Sequence, residues 1–258
     1  MSAMWGRCDG VGGAWLRNGS AGGLCLLASS LFAPPSLAQS DQPTAELFTG
    51  IEASDNYVSV YVGGGTALGK GLYEPGFRLR AVGSYGPYHY DGTLLVDGVY
   101  MPITFDGQDA FIAALAGYQF RTGNLIAKLF AGIEAEDQHI SPHDPNNSVQ
   151  GSEVGLRLAL ETWTDLSPRL FVSADASYGT AFQEYCALAR IGFRVRPRLA
   201  LGLEGGALGN EEYNAGKGGG FLRLDVRDIE FTLSGGFTGN YLEDMPSGYV
   251  SLGVYRAF

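Results

Sequence analysis

The regular alternation of apolar and charged residues over long segments is the feature of this chain that most restricts its fold. In EYCALARIGFRVR (184 to 196), all charged residues lie at even positions and every odd position is apolar. In EVGLRLALET (153 to 162), the charged residues lie at odd positions and the large aliphatic residues at even ones. A period of two places alternate side chains on opposite faces of a β-strand. The sequence therefore predicts an all-β protein.

The length and spacing of these segments separate a membrane barrel from a soluble β-sandwich. The segments run for about 10 to 14 residues, whereas a usual strand has about 5 or 6 and a tilted strand needs about 9 to 11 to cross a bilayer. From the fourth segment onward, short connections alternate with longer ones. This pattern is typical of bacterial outer-membrane proteins, which have short periplasmic turns and longer extracellular loops. We predict an antiparallel, up-and-down transmembrane β-barrel of about twelve strands, with long loops at 89 to 108, 137 to 150 and 209 to 216.

The first 38 residues have the three parts of a secretory signal peptide. Arg7 and Arg17 provide the positive region, residues 21 to 33 the apolar region, and Ser36-Leu37-Ala38 the small residues of a cleavage site. We expect residues 1–38 to be a signal peptide and residues 39–258 to be the barrel domain. Export by this route is consistent with a location in the outer membrane.

Composition excludes some partners and supports the fold class. The formal net charge is −10, which argues against a nucleic-acid partner because such proteins present a basic face. The chain contains 39 Gly, 14 Tyr and 14 Phe, and aromatic residues and glycine are the residues that strands and tight turns use. The composition and the alternating pattern together predict that the barrel is surrounded by outer-membrane lipid.

The chain ends in SLGVYRAF (251 to 258), an alternating run with an aromatic last residue. An apolar terminus is expected when the last strand pairs with the first and closes a barrel. The run resembles the C-terminal signal that the barrel-assembly machinery recognises, through Ser251, Gly253 and Phe258. Arg256 departs from that signal, and on a barrel its long side chain reaches the interfacial phosphates.

The charged face of the strands is predicted to line the lumen. Such a face forms either a hydrated path for a hydrophilic molecule or a set of ion pairs that fill a closed barrel, and the sequence leaves both alternatives open. The predicted lumen-lining residues are Arg78, Arg80, Lys128, Glu134, Glu153, Arg157, Glu161, Asp175, Arg190, Arg194, Glu204, Arg223 and Asp225.

Candidate catalytic and metal-binding residues are few. His89 and Ser84 suggest a lipid-modifying esterase, but their opposite strand parity separates the base from its nucleophile, and hydrolysis needs them within hydrogen-bond reach. His139 and His143, flanked by Asp137 and Asp144, have a spacing that permits a metal site, although the polar, Pro- and Asn-rich loop favours a solvated segment. We therefore predict no catalytic residue, no metal ligand and no cofactor.

Several segments resemble the cellulose biosynthesis protein BcsS family of Proteobacteria. They are ELFTGIEASDNYVSVYVGGGTAL (46 to 68), GFRLRAVGSYGPYHYDG (76 to 92), AALAGYQF (113 to 120) and AKLFAGIEAEDQ (127 to 138). The resemblance implies a secreted outer-membrane protein associated with cellulose production, with cellulose or other cellulose-synthesis components as partners, and it supplies no catalytic residues.

The function expected from these observations is a non-enzymatic outer-membrane barrel that assists the biosynthesis or export of cellulose, a β-glucan. The alternatives are an outer-membrane lipid-modifying enzyme with His89 as its base and a purely structural or porin-like barrel.

Overall fold

The computed structural model describes residues 42–69, 71–239 and 247–258. Within these residues the chain forms twelve antiparallel strands in one closed barrel, in which each strand pairs with its neighbours in sequence and the last pairs with the first. The predicted fold class and strand number are confirmed. None of the described residues belongs to a helix long and apolar enough to cross a membrane. The strands are β1 (Ala45–Ser54), β2 (Val58–Ala67), β3 (Gly76–Val96), β4 (Val99–Thr122), β5 (Leu125–Ser141), β6 (Gly151–Asp165), β7 (Leu170–Gly179), β8 (Tyr185–Arg196), β9 (Leu199–Gly209), β10 (Asn214–Val226), β11 (Ile229–Gly239) and β12 (Ser247–Ala257).

The barrel closes between β1 and β12, where Phe48 is opposite Tyr255 and Gly50 is opposite Gly253. The main-chain bonds continue to the last residue, because the amide of Thr44 donates to the carbonyl of Phe258 at 2.6 Å and the amide of Phe258 donates to the carbonyl of Ala45 at 2.8 Å. The apolar C-terminus is therefore part of the ladder. Recognition of this strand by an assembly machinery remains a prediction.

The outer face of the barrel is apolar. Large apolar side chains would be unfavourable in water over so wide a surface, and a barrel presents such a band to lipid. Side chains of this face that expose more than 60% of their area come from strands all around the barrel: Val62, Phe77, Ile112, Ile133, Leu156, Leu203 and Phe237.

The two rims of the barrel differ. The terminal rim carries both ends of the described chain and the connections 68–75, 123–124, 166–169, 197–198 and 227–228. The loop rim carries the connections 55–57, 97–98, 142–150 and 180–184, in which Ala181–Gln183 forms a short 3₁₀ helix, and the connection 210–213. The connection between β11 and β12 falls largely outside the described residues.

The prediction of a long loop at 89 to 108 is wrong, because β3 and β4 continue as a paired ribbon beyond the loop rim. The pairing runs without interruption from Tyr88 opposite Gly107 to Val96 opposite Val99. Asp97 and Gly98 form the turn, both with positive φ (49° and 83°). An Asp-Gly pair is a strong sequence signal for a two-residue hairpin turn, and it was available in the sequence. The other two predicted loops are shorter than expected, since β5 extends to Ser141 and β10 begins at Asn214.

Candidate functional site

The lumen is the candidate site, and its side chains fill it. Buried charges require partners, because an unpaired charge in a low-dielectric interior is very costly. Of the thirteen residues predicted to line the lumen, Lys128, Arg194 and Asp225 are half-buried and Glu153 is exposed near the loop rim. The other nine are buried: Arg78, Arg80, Glu134, Arg157, Glu161, Asp175, Arg190, Glu204 and Arg223.

The connection 68–75 closes the lumen at the terminal rim. Arg78 Nη2 donates to the carbonyls of Gly71 (3.2 Å), Leu72 (3.2 Å) and Glu74 (2.5 Å). Gln119 Nε2 donates to the carbonyls of Leu72 (3.0 Å) and Glu74 (3.2 Å). Both side chains are buried, so the main chain of this connection packs into the barrel mouth. Its length, which exceeds that of a simple turn, is explained by this role.

A first ion-pair cluster lies above that connection and joins four strands. Arg80 of β3 contacts Glu46 of β1 at 3.2 Å and also pairs with Glu161 of β6. Lys128 of β5 lies 3.4 Å from Glu161 Oε2 and 3.8 Å from Glu46 Oε1. The Arg80 guanidinium also lies 4.5 Å from the centre of the Phe130 ring. Because β1 and β5 are separated by three strands, this cluster crosses the lumen.

A second cluster connects β1 with β8, β9, β10 and β12. Lys217 Nζ lies 2.5 Å from Glu52 Oε2 and 3.7 Å from Glu204 Oε1. Arg190 Nε lies 2.8 Å from Glu204 Oε2, and Tyr249 Oη donates to Glu204 Oε1 at 2.7 Å. Glu204 is thus compensated by two cations and a hydroxyl, which is the condition for a stable buried carboxylate.

Arg223 of β10 occupies an aromatic cage nearer the terminal rim, three residues before the end of its strand. Its guanidinium carbon lies 5.3 Å from the ring centres of both Trp163 and Phe171, and its Nε lies 3.1 Å from Glu230 Oε1. Trp163 and Phe171 belong to β6 and β7, so this contact also spans the lumen. Cation–π contacts of a desolvated guanidinium are individually favourable.

The segment around the short 3₁₀ helix is held inside the barrel by a carboxylate. Glu134 Oε1 accepts from the amide of Ala181 at 3.1 Å, and Glu134 Oε2 accepts from Arg157 Nη1 at 2.9 Å. Gly179 allows this approach, because a Cβ at that position would lie 2.2 Å from Glu134 Oε1. The glycine therefore leaves space for the Glu134 carboxylate in its observed position.

Apolar side chains from opposite walls meet near the loop rim. Tyr57 and Tyr88, next to β2 and on β3, form one buried cluster with side chains of β8, β9 and β10. Because β3 and β9 are six strands apart in the closed order, the cluster reaches across the full width of the lumen. Its other members are Cys186, Leu188, Leu208 and Ala215.

The connection 142–150 forms a strap over this cluster. Tyr90 Oη donates to Asp144 Oδ2 at 2.8 Å, and Asn147 Nδ2 donates to Tyr90 Oη at 3.1 Å. The amide of Ser148 donates to Glu212 at 2.7 Å, which ties the strap to the connection 210–213. Burial and the bond to Asp144 raise the pKa of Tyr90 to about 12, because both disfavour a phenolate.

The residues considered for catalysis and metal binding are not brought together. Ser84 is buried inside and His89 is exposed, and they are roughly 17 Å apart along the strand. His139 is exposed on β5, His143 Nδ1 lies 3.0 Å from Gln150 Oε1, and Asp144 accepts from Tyr90. In the part of the chain that the structure describes, no three His, Cys, Asp or Glu side chains are grouped so that they could hold a metal ion.

Five buried residues of the ion pairs were missed by the prediction. Glu46, Glu52, Glu184, Lys217 and Glu230 all have the inward parity of their strands. Parity alone could have found them. Lys217 lies in the run GKGGG, whose glycines obscure the alternation that marks neighbouring strands.

Comparison with known proteins gives a family. The family model described as "Cellulose biosynthesis protein BcsS" matches residues 46–258, and no curated protein sequence matches the chain. Among solved structures, a KdgM porin has a TM-score of 0.46 at 10% identity, with coverage of 83% of this chain and 99% of that chain. The translocator domain of the autotransporter NalP from Neisseria meningitidis has a TM-score of 0.49 at 12% identity, with coverage of 84% and 90%. At these values the similarity carries no functional information.

Proposed function

Because the chain belongs to the cellulose biosynthesis protein BcsS family, we propose that it is a non-enzymatic outer-membrane β-barrel that assists cellulose biosynthesis or export without conducting the polymer through its own lumen. The filled lumen is the observation that carries this proposal. A polymer conduit needs a continuous hydrated path, whereas charged side chains of facing strands contact each other here at several depths. Removing one member of a buried ion pair typically costs about 3 to 5 kcal/mol, so opening such a lumen would require a large compensating interaction.

The outer-membrane location rests on three features. They are the apolar outer face, the strand pairing at the C-terminus and the predicted signal peptide, whose residues 1–38 lie outside the described part of the chain. Outer-membrane barrels have their short turns in the periplasm, so the terminal rim faces the periplasm and the loop rim faces the cell exterior.

The ribbon formed by residues 89–106 is the surface best suited to contact glucan or a partner. Its distal end exposes Val99, Tyr100 and Met101, and Tyr100 is 72% exposed. Tyr100 shares its face of the ribbon with the polar side chains of Asp91 and Thr104, which bond each other at 2.7 Å, whereas Val99 and Met101 lie on the opposite face. A β-glucan combines apolar C–H faces with hydroxyl edges, and a ribbon with aromatic and polar groups complements both. Cellulose or another component of the cellulose machinery is therefore the proposed partner of this ribbon.

A non-enzymatic role is supported by the separation of Ser84 from His89, since neither can activate the other. The lipid-modifying alternative predicts altered lipid in a His89→Ala strain. An unchanged lipid A and phospholipid profile in that strain is the result expected here.

Planar-bilayer conductance tests the closed lumen. The purified barrel should show a gel-mobility shift between unboiled and boiled samples, which reports a folded barrel, and no steady conductance from the same preparation. A folded sample with steady conductance would contradict the closed lumen and favour the porin-like alternative.

Cellulose output tests the proposed role of the ribbon. A gene-deletion strain should make less cellulose and should recover with the wild-type gene. The Tyr100→Ser/Met101→Ser variant should reach the membrane in folded form but restore output poorly, whereas Tyr100→Phe, which keeps the ring, should restore it fully. Equal restoration by all three genes would exclude the ribbon as the contact surface.

A further inference from the structure

The two rims of the barrel carry charge of opposite sign. In the sequence of the loop-rim segments 55–57, 89–106, 137–153, 180–184 and 209–216 there is no Lys or Arg, and their exposed acidic residues are Asp55, Asp91, Asp97, Asp106, Asp137, Glu153, Glu211 and Glu212. The terminal rim carries more exposed basic than acidic residues, the exposed acidic ones in its described connections being Glu74 and Asp228. Its exposed arginines, here named the arginine collar, are Arg121, Arg169, Arg196, Arg198, Arg227 and Arg256.

The arginine collar lies where the apolar outer band ends. The Arg256 guanidinium lies 4.7 Å from the centre of the Phe258 ring, which keeps its charged head beside an apolar group at the edge of the band. An Arg side chain at such a boundary packs its stem on apolar surface and places its head among phosphates. Exposed apolar side chains stand within two residues of four collar arginines: Phe120, Val195, Val226 and Phe258.

We infer that the arginine collar binds the phosphate headgroups of anionic phospholipids in the leaflet next to the terminal rim. Charge complementarity supports this partner, because basic clusters beside a bilayer attract anionic lipid. The guanidinium also suits a phosphate, since it offers several donors in a planar fork. The acidic loop rim repels the same headgroups, so the binding also favours one orientation of the barrel in the membrane.

The position of the collar favours lipid over an acidic protein. Collar arginines lie at the connections β4–β5, β6–β7, β8–β9 and β10–β11 and at the end of β12, so they surround much of the barrel, as the lipid of a leaflet does. An acidic protein docking on the barrel axis would instead meet the connection 68–75, whose sequence carries no net charge because it contains one Lys and one Glu.

Lipid selectivity measured with spin-labelled lipids tests the inference. The barrel is reconstituted in phosphatidylcholine vesicles, and the association of spin-labelled phosphatidylglycerol is compared with that of spin-labelled phosphatidylcholine. We expect phosphatidylglycerol to be preferred by about fivefold or more at low salt, since a single basic residue near an anionic surface contributes roughly that much. The preference should nearly vanish at about 1 M salt, where the Debye length is about 3 Å.

Three triple variants separate the effect of the collar from that of net charge. Arg169→Gln/Arg196→Gln/Arg198→Gln should lose most of the preference, while the corresponding Arg→Lys triple variant should keep a clear part of it. Asp55→Asn/Asp97→Asn/Asp106→Asn changes the charge of the loop rim by the same amount and should keep the preference or raise it. The gel-mobility shift on heating identifies folded samples of each variant before lipid is measured.

Three outcomes would overturn the inference. One is equal association of the two lipids with the wild type, and another is an undiminished preference in the folded Arg→Gln variant. The third is a wild type without lipid preference that binds polyglutamate through the same arginines, which would assign the collar to an acidic protein partner.

Discussion

The lumen is closed at both ends, but by different means. At the terminal rim, one connection, 68–75, is bonded to Arg78 and Gln119 of the adjacent strands β3 and β4. At the loop rim, Tyr57 and Tyr88 pack on side chains of the opposite wall, and the strap 142–150 is tied to a connection more than 60 residues later, since Ser148 and Glu212 are 64 residues apart. The first closure joins a connection to the neighbouring strands β3 and β4 and depends on hydrogen bonds. The second joins opposite walls and depends on apolar packing, so it forms only when the barrel is closed.

The ion pairs between the two closures should contribute most to stability, so their loss sets the scale for the effects expected at either end. Lys217→Met should produce the largest effect, because Glu52 and Glu204 would lose their shared cation in a buried site. We expect a loss of about 3 to 5 kcal/mol, measured as a lower temperature of the gel-mobility transition. The Glu52→Gln/Lys217→Met double variant should recover part of the loss. If Lys217→Met were as stable as the wild type, the Lys217–Glu52 pair would not be buried in solution.

The closure at the loop rim should respond next most strongly. Tyr88→Ala removes a buried ring from the cross-lumen cluster and should cost about 3 kcal/mol. The same loss of contact across the lumen should increase conductance in planar bilayers. Tyr88→Phe is the matched control, because it removes only the bond from the hydroxyl to Gln138 (3.1 Å) and should cost about 1 kcal/mol. If the two variants behave alike, packing is not what closes this end.

The closure at the terminal rim should open locally. Arg78→Ala removes charged bonds to three carbonyls, each worth about 1.5 to 3 kcal/mol at most, while the strands themselves remain paired. Trypsin should therefore cut after Lys70 about tenfold faster, since release of a segment by about 1.4 kcal/mol corresponds to that factor. Arg121→Ala, which loses a single exposed bond to the carbonyl of Tyr73 (3.1 Å), should change cleavage little. A global loss of stability in Arg78→Ala would contradict a local closure.

The strap should show the smallest effect, and one that depends on pH. The folded-state pKa of Tyr90 is about 12, above the ordinary value of about 10, so its bond to Asp144 stabilises the strap fully below about pH 10 and is lost as the pH rises through about 12. Absorbance titration at 295 nm should show a tyrosine component near pH 12 in the wild type that Tyr90→Phe lacks. Identical titration curves for the two proteins would contradict the bond between Tyr90 and Asp144.

Much of the architecture was predictable from local pattern. Parity separated the faces of β3, β6 and β8, and Arg80, Arg157 and Arg190, which it predicted for the inside, are buried. The ribbon at 89–106 was missed because its inner face is apolar, which hides the alternation, although the Asp97-Gly98 turn was a usable signal. Glu46 and Glu52 of β1, which complete the ion pairs, were missed for a different reason: β1 was not among the segments in which a charged face was recognised.

The sequence by itself determined the fold class, the approximate strand number, the faces of several strands and the family, because each depends on residues only a few positions apart or on the pattern as a whole. Only the tertiary structure decided whether the lumen is filled. Lys217 and Glu52 are 165 residues apart, and Tyr88 meets Leu208 only after closure of the barrel. The physical reason is that parity fixes the direction of a side chain relative to its own strand, whereas the distance between facing walls depends on the strand number, register and closure of the complete sheet.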